Sequence, residues 1–245
     1  MFPADIPNFM LSGTPALYCA ALLAGFNSLT QRHSGFAEPQ PPLPPRSHAL
    51  SLSVAESPEA LAEAIRLVRR RYAWRGYETG QLVDAAAPRA QPNEVTLLAK
   101  ADRTSLGTLT LRLDGPLGLG AEQGYPGAIA AARAEGRRVC ELTRFAIAET
   151  SYRKTILASL FSLAYALART QHGVTDAFVE VNPRHVGFYR RALGFVVTAG
   201  ERFCERVRAP SVLLRLELAE LERRLRVPAP IRTAPSDRPF VRRTA

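Results

Sequence analysis

Val139-Cys140-Glu141-Leu142-Thr143-Arg144-Phe145-Ala146-Ile147, followed by the basic turn Tyr152-Arg153-Lys154-Thr155 and an apolar run to Gln171, decides how this chain folds. The β-forming Val, Leu, Thr, Phe and Ile make the first segment a strand, with an acid and an arginine embedded in it. Ile156, Leu160, Leu163 and Leu167, with Leu157, Phe161 and Ala164 beside them, recur at helical spacing and predict a helix from about Arg153 to Gln171, stopped at Gly173. Its apolar stripe is wide enough to need a sheet beneath it. A strand leading into a helix with a basic first turn suits an anionic ligand, because a helix start offers free N–H groups and partial positive charge.

The elements around this junction read outward in both directions. Upstream, Leu50, Leu52 and Val54 alternate as a short strand, and Ser57-Pro58-Glu59 supplies an N-cap, a first-turn proline and an acid at the positive helix end. Leu61, Ile65, Val68 and Tyr72 then predict a helix that shows Arg66, Arg69, Arg70 and Arg71 elsewhere on its surface. Residues Thr79 to Asn93 have loop chemistry. Glu94 to Lys100 and Leu106 to Leu113 are expected as a hairpin around residues 101–105. A long Gly- and Pro-containing loop from Asp114 to Gly127 leads to a short helix from Ala128 to Glu135, and is placed to cover a pocket beside the key strand. Downstream, Val174 to Val181 is a strand ended by Asn182-Pro183, Arg184 to Leu193 a short helix, and Phe195 to Val197 with Ser211 to Leu218 a final strand pair. The sum is a mixed α/β sheet flanked by helices.

At 245 residues and 47% hydrophobic content the chain holds one good-sized core plus tails. Five of the nine residues from Glu38 to Arg46 are proline, so residues 1–48 form an extension ending in a linker, 49–220 the domain, and 221–245 a basic tail. The net charge of +10 invites a nucleic-acid reading, but the tail holds seven arginines against Glu222 and Asp237 and accounts for half of it. A moderately basic domain suits an acidic carrier protein or a phosphate-bearing cofactor equally well, so nucleic acid is not the expected partner. Ala16 to Phe26 is apolar, yet no basic residue precedes it and Pro15 interrupts it, so neither a signal peptide nor a spanning helix is expected, only weak contact with a membrane surface. Cys19, Cys140 and Cys204 lie far apart without metal-ligand spacing, which points to free thiols in a cytoplasmic setting and to no metal.

Val181-Asn182-Pro183-Arg184-His185-Val186-Gly187-Phe188-Tyr189-Arg190-Arg191-Ala192-Leu193-Gly194-Phe195 resembles the GNAT acyltransferase superfamily, in which a strand ends in Asn and a short helix carries Phe-Tyr before Leu-Gly-Phe. Glu141-Leu142-Thr143-Arg144-Phe145-Ala146-Ile147 is similar to the Glu-x-x-Arg-Phe-Ala-Val strand of bacterial acyl-homoserine lactone (autoinducer) synthases and long-chain N-acyl amino acid synthases. The similarity covers about residues 50–218. It implies a GNAT-like, mostly antiparallel central sheet whose parallel strands splay at the donor site. It also implies an N-acyltransferase moving an acyl group from acyl carrier protein or acyl-CoA to the amine of an amino acid or related small molecule, with no tightly bound cofactor. An autoinducer-type synthase, a CoA-dependent N-acetyltransferase and a non-catalytic basic binding protein stand as alternatives.

One departure bears on the donor. CoA-using GNAT enzymes carry a glycine-containing pyrophosphate loop before the long helix, whereas Thr150-Ser151-Tyr152-Arg153-Lys154-Thr155 has no glycine to let the backbone wrap a pyrophosphate. A carrier-borne phosphopantetheine has a single phosphodiester, which the helix start with Tyr152, Arg153, Lys154 and Thr155 can hold, so a carrier-bound donor is favoured. The resemblance assigns Glu141 to deprotonating the amine, directly or through water, with a structural ion pair as the competing role. Arg144 either grips the acceptor's carboxylate or pairs with Glu141, and the two share a site only if a bulge intervenes, since strict alternation puts them on opposite faces. The backbone of Phe145, Ala146 and Ile147 receives the donor arm, Asn182 bonds the donor or caps the next helix, and Tyr189 protonates the departing sulfur or packs against the donor. His185, beside a turn, reads as solvated.

Overall fold

The chain runs β1 (Leu50–Val54), α1 (Pro58–Trp74), β2 (Glu94–Ala101), β3 (Thr104–Leu113), α2 (Pro126–Ala134), β4 (Val139–Ile147), α3 (Arg153–Ala166), β5 (Asp176–Val181), α4 (Pro183–Phe188), β6 (Val196–Cys204), β7 (Ala209–Glu217) and α5 (Leu218–Leu225). The computed structural model describes residues 50–78 and 91–225. The expected N-terminal extension, most of the loop after Tyr77 and most of the basic tail lie outside the described residues. All seven strands form one sheet in the order β1-β2-β3-β4-β5-β7-β6. Every neighbouring pair is antiparallel except β4 and β5, which run parallel.

Local chemistry sets the element ends. The Ser57 hydroxyl accepts the Ala60 N–H at 3.2 Å, and Pro58 and Glu59 open α1, which buries Leu61, Ala64, Leu67 and Val68. The β2–β3 turn is tighter than expected: the strands extend to Ala101 and Thr104, and Asp102 takes the left-handed conformation at φ 51° that such a turn needs. Across the same pair, the Thr96 and Thr110 hydroxyls lie 3.0 Å apart.

Alternation along the strands divides the side chains between two layers. Cys140, Leu142, Ala177 and Val179 join α3 in the main core, while Val139, Phe178 and Leu213 join Ile129 and Ala132 of α2 in a second core on the other face. Leu67 and Val68 of α1 pack on Ala146 and Ala148. The long helix is more enclosed than one apolar stripe requires, for every residue from Ile156 to Ala166 is buried. Segments outside the sheet contribute: Tyr189, Leu193 and Phe195 join the same core, and α5 crosses the expected domain end at residue 220, with Leu218 and Leu221 in the main core and Glu222 accepting hydrogen bonds from Tyr165 and Arg169. The α-helical hydrogen bonding of α3 stops at Ala166, and Leu167–Gln171 continue as a wider π-turn.

Two further expectations are corrected. The loop from Asp114 to Gly127 is not a loose cover: Leu119, Ala121 and Tyr125 are buried in the second core, and Gly120–Gln123 form a 3₁₀ turn. The last strand pair is a longer hairpin than Phe195–Val197 and Ser211–Leu218, because β6 is an edge strand whose outward residues give no apolar alternation.

At Gly107 the sheet and α3 approach closely. A Cβ there would overlap Ile156 Cγ2 and sit 3.1 Å from Leu160 Cδ1. Gly107→Ala is expected to cost about 1–3 kcal/mol by overpacking, read as a lowered midpoint at unchanged slope in urea unfolding.

Candidate active site

β4 and β5 are bonded only at Val139–Glu141 against Asp176–Phe178; Leu142–Ile147 and Val179–Val181 carry no pairing between them. The divergence coincides with a β-bulge, where the register against β3 slips between Thr143 and Ala146 and Arg144 adopts φ 51°. A bulge bends its strand and redirects a side chain. Here it turns Arg144 onto the face that carries Glu141, which meets the condition the sequence set for the two to share a site. A cavity of about 640 Å³ opens through the gap, reached by side chains of both sheet faces.

The half on the α1 and α2 side is polar. Glu141, only 1% exposed, accepts the Ala121 N–H at 3.1 Å through one oxygen and has Arg206 at 3.7 Å from the other. Arg206 also donates to Glu180, whose second oxygen accepts the Ser211 hydroxyl at 2.6 Å, and Ser211 O in turn accepts the Tyr125 hydroxyl at 2.7 Å. Arg144 does not pair with Glu141. It forks on Glu94 at 2.6 and 3.1 Å, and Arg112 holds the same carboxylate at 2.5 and 2.9 Å. A Cβ on Gly120 would meet Arg206, Arg112 and Glu141 together, so the ends of these side chains converge over this glycine. Glu141, Glu180, Arg144 and Arg206 thus floor the cavity, with Glu94 and Arg112 pairing behind Arg144, and each buried charge has an opposite partner, which is how ionised groups survive removal from water. Burial works against the Arg206 charge, but Glu141 and Glu180 outweigh it and raise its pKa. Tyr72 of α1 lines the same half, and loss of solvation pushes its phenol up to about 12.

The half on the α3 and α4 side is mainly apolar and aromatic. Phe145 meets Phe161 edge to face at 5.4 Å, and Tyr189 meets Phe188 and Phe195 at 5.4 and 5.6 Å. Burial pushes the Tyr189 hydroxyl well above its ordinary pKa, so it stays protonated at neutral pH. His185 is half-buried on this wall; burial, then the nearby Arg184 and Arg75, depress its pKa and favour the neutral ring. Asn182 caps α4, accepting the Arg184 N–H at 3.3 Å and donating to Pro210 O at 3.1 Å, while also lining the cavity. At the start of α3, Arg153 and Lys154 are exposed and line the cavity. Tyr152 and Thr155 do not line it, and Tyr152 packs on the main core.

The family model of the N-acyl amino acid synthase FeeM matches residues 63–217, more than half of the chain. The chain belongs to the FeeM N-acyl amino acid synthase family. Among solved structures, FeeM from uncultured soil microbes superposes with a TM-score of 0.65 at 25% identity, covering 72% of this chain and 94% of that one. A protein from Lactobacillus plantarum assigned as an N-acetyltransferase gives 0.50 at 18% identity, over 69% and 99% of the two chains, and shows the fold alone. The acyl-homoserine lactone synthase LasI gives 0.49 at 18%, over 73% and 95%, too distant to bear on the reaction. No curated protein sequence matches the chain.

As a FeeM-family protein the chain is an N-acyltransferase with a GNAT-like sheet, which sets aside the reading of a non-catalytic binding protein. No helix among the described residues is long and apolar enough to cross a membrane, and no cluster there could hold a metal ion. The cavity also contains Glu180 and Arg206, which the sequence reading passed over, and Tyr72, which it placed on the packing stripe of α1. Glu180 left one signal, an acid inside the otherwise apolar strand Ala177–Val181, which must find a partner if buried. Arg206 left none, since it sits in a turn.

Proposed function

We propose that the chain transfers a long acyl group from a phosphopantetheine thioester to the amine of an amino acid. The observation that carries this reading is a cavity passing between two splayed parallel strands, apolar and aromatic on one sheet face and floored by ionised groups on the other. Such a passage admits a flexible thioester arm from the first face and a polar amine from the second. The unpaired edge of β4 at Phe145–Ile147 offers main-chain groups to the arm, and Arg153 and Lys154 receive its phosphodiester. The amine nitrogen attacks the thioester carbon, passing its proton to Glu141 directly or through water. The C–S bond then breaks, the Tyr189 hydroxyl gives its proton to the departing thiolate, and the proton taken up by Glu141 returns through water to the phenolate, which burial disfavours, restoring both groups. Arg144, already forked on Glu94, acts by holding the floor in place rather than by gripping the acceptor's carboxylate.

The lack of glycine in residues 150–155 favours a carrier-bound donor over CoA. The test is to supply acyl carrier protein loaded with long chains, or long-chain acyl-CoA, with a mixture of amino acids and to seek new amides by mass spectrometry. Amides from the carrier donor are expected. Turnover confined to acetyl-CoA, or a lactone product, would overturn the reading. Replacing Arg153 and Lys154 together by alanine is expected to raise the donor's KM about tenfold with kcat within about twofold, measured by initial rates over donor concentration.

A further inference from the structure

We propose that the C-terminal half of α1 is a docking surface for anionic membrane lipid, placed beside the mouth of the acyltransferase cavity. Arg66, Arg70 and Trp74 lie at helical spacing of four on one stripe and are all exposed, Trp74 by 61%. Arg71 and Arg75 bracket the indole, their guanidinium carbons 4.8 and 4.6 Å from its ring centroid, and both also line the cavity. From Arg66 to Arg75 there are five arginines and no acid. Two neighbouring acids offset part of this charge: Glu63, held by Lys100 at 2.6 Å and by Ser105, also acts on Arg66, and the exposed Glu149 lies 3.6 Å from Arg71, which leaves the stretch net positive.

The helix dipole favours cations in the last turn, which accounts for Arg71 and Arg75 but not for an outward indole or for Arg66 and Arg70 a turn or more earlier. An amphipathic ring ringed by guanidiniums is the chemistry of the lipid headgroup layer, where tryptophan rests among the headgroups and arginine meets phosphate. A bare phosphate site would need the arginines and gain little from the exposed ring, whereas an acidic protein is the other occupant such a ring suits, and the vesicle and carrier arms of the test below separate the two. A long-chain acyl amino acid is itself an amphiphile with an apolar tail and a carboxylate, so a lipid-facing surface at the cavity mouth gives it a route out of water. That use in product release rests on the proposed reaction; the surface does not.

Trp74 is the only tryptophan in the chain, so its fluorescence reports this surface without a label. With the full-length protein, phosphatidylcholine vesicles containing phosphatidylglycerol are expected to shift Trp74 emission to the blue, and pure phosphatidylcholine vesicles to leave it unchanged. High salt should reverse the shift. Arg66→Glu with Arg70→Glu is expected to abolish the shift and to lower vesicle co-sedimentation more than about tenfold, with amide formation in vesicle-free solution unchanged. Trp74→Ala, followed by sedimentation, should weaken partitioning as well. A blue shift produced by acyl carrier protein but not by anionic vesicles would overturn the proposal. So would vesicle binding that survives the double arginine reversal, since the lipid contact would then lie elsewhere in the chain. Loss of amide formation in every variant and in the wild type alike would count against the reaction and not against the surface.

Discussion

Glu141→Gln lowers kcat by about 10²- to 10⁴-fold and leaves the donor's KM within about threefold, the range expected when a positioned proton acceptor is removed from the transition state but not from donor binding. The substitution keeps the side chain's volume, and its amide oxygen can still accept the Ala121 N–H. What disappears is the ionised oxygen 3.7 Å from Arg206, and with it the group able to take the amine's proton. Arg206 keeps Glu180 as its counter-charge, and the Arg144 and Arg112 pairs with Glu94 are untouched, so the variant remains folded. Initial-rate kinetics with the donor varied, paired with a thermal melt, separate the outcomes. A loss of stability with kcat reduced less than tenfold would make Glu141 a structural acid, with chemistry left to another group.

The largest effect on stability is expected at Glu94. Its carboxylate, with 5% of the side chain exposed, is shared by Arg144 and Arg112. Glu94→Ala leaves two guanidiniums in a largely water-free layer without their counter-charge, a change that costs about 3–5 kcal/mol and lowers Tm by about 10 °C. It also releases the bulged Arg144, so the cavity loses its shape and activity falls with stability. The pH dependence has a definite sign. Burial alone would raise the Glu94 pKa, but Arg144 and Arg112 outweigh it and hold the folded value below 4.5. Its stabilisation is therefore complete above about pH 4.5 and is lost as pH falls from there through the lowered folded value. Glu94→Gln should flatten that part of the acid limb, measured as urea midpoints over a pH series. A midpoint for Glu94→Ala equal to that of the wild type would refute the paired floor.

Much of the framework could be read locally. α1 declared itself through Ser57-Pro58-Glu59 and its buried stripe, and β4 through a run of β-formers. α3 showed because its apolar residues recur at a helical period, although its complete enclosure involves distant segments such as Phe195 and Leu221. β6 was mostly missed for a physical reason: it lies at the sheet edge with Val196, Val197 and Phe203 about half exposed, so burial imposes no alternation on it. In the site, Glu141, Arg144 and Tyr189, singled out in the sequence, line one cavity with Arg153 and Lys154, while their neighbours Tyr152 and Thr155 do not line it.

By itself the sequence determined the order of strands and helices and the junction where the acid-bearing strand meets a basic helix start. Those features follow from periodicity, capping and turn chemistry acting over a few residues. Only the tertiary structure decided which charge meets which: Arg144 with Glu94 across 50 residues, Arg206 with both Glu141 and Glu180. An ion pair is a matter of position in space, and here that position is set by a bulge at one residue, by the parallel strands parting beyond Glu141, and by β7 lying between β5 and the edge.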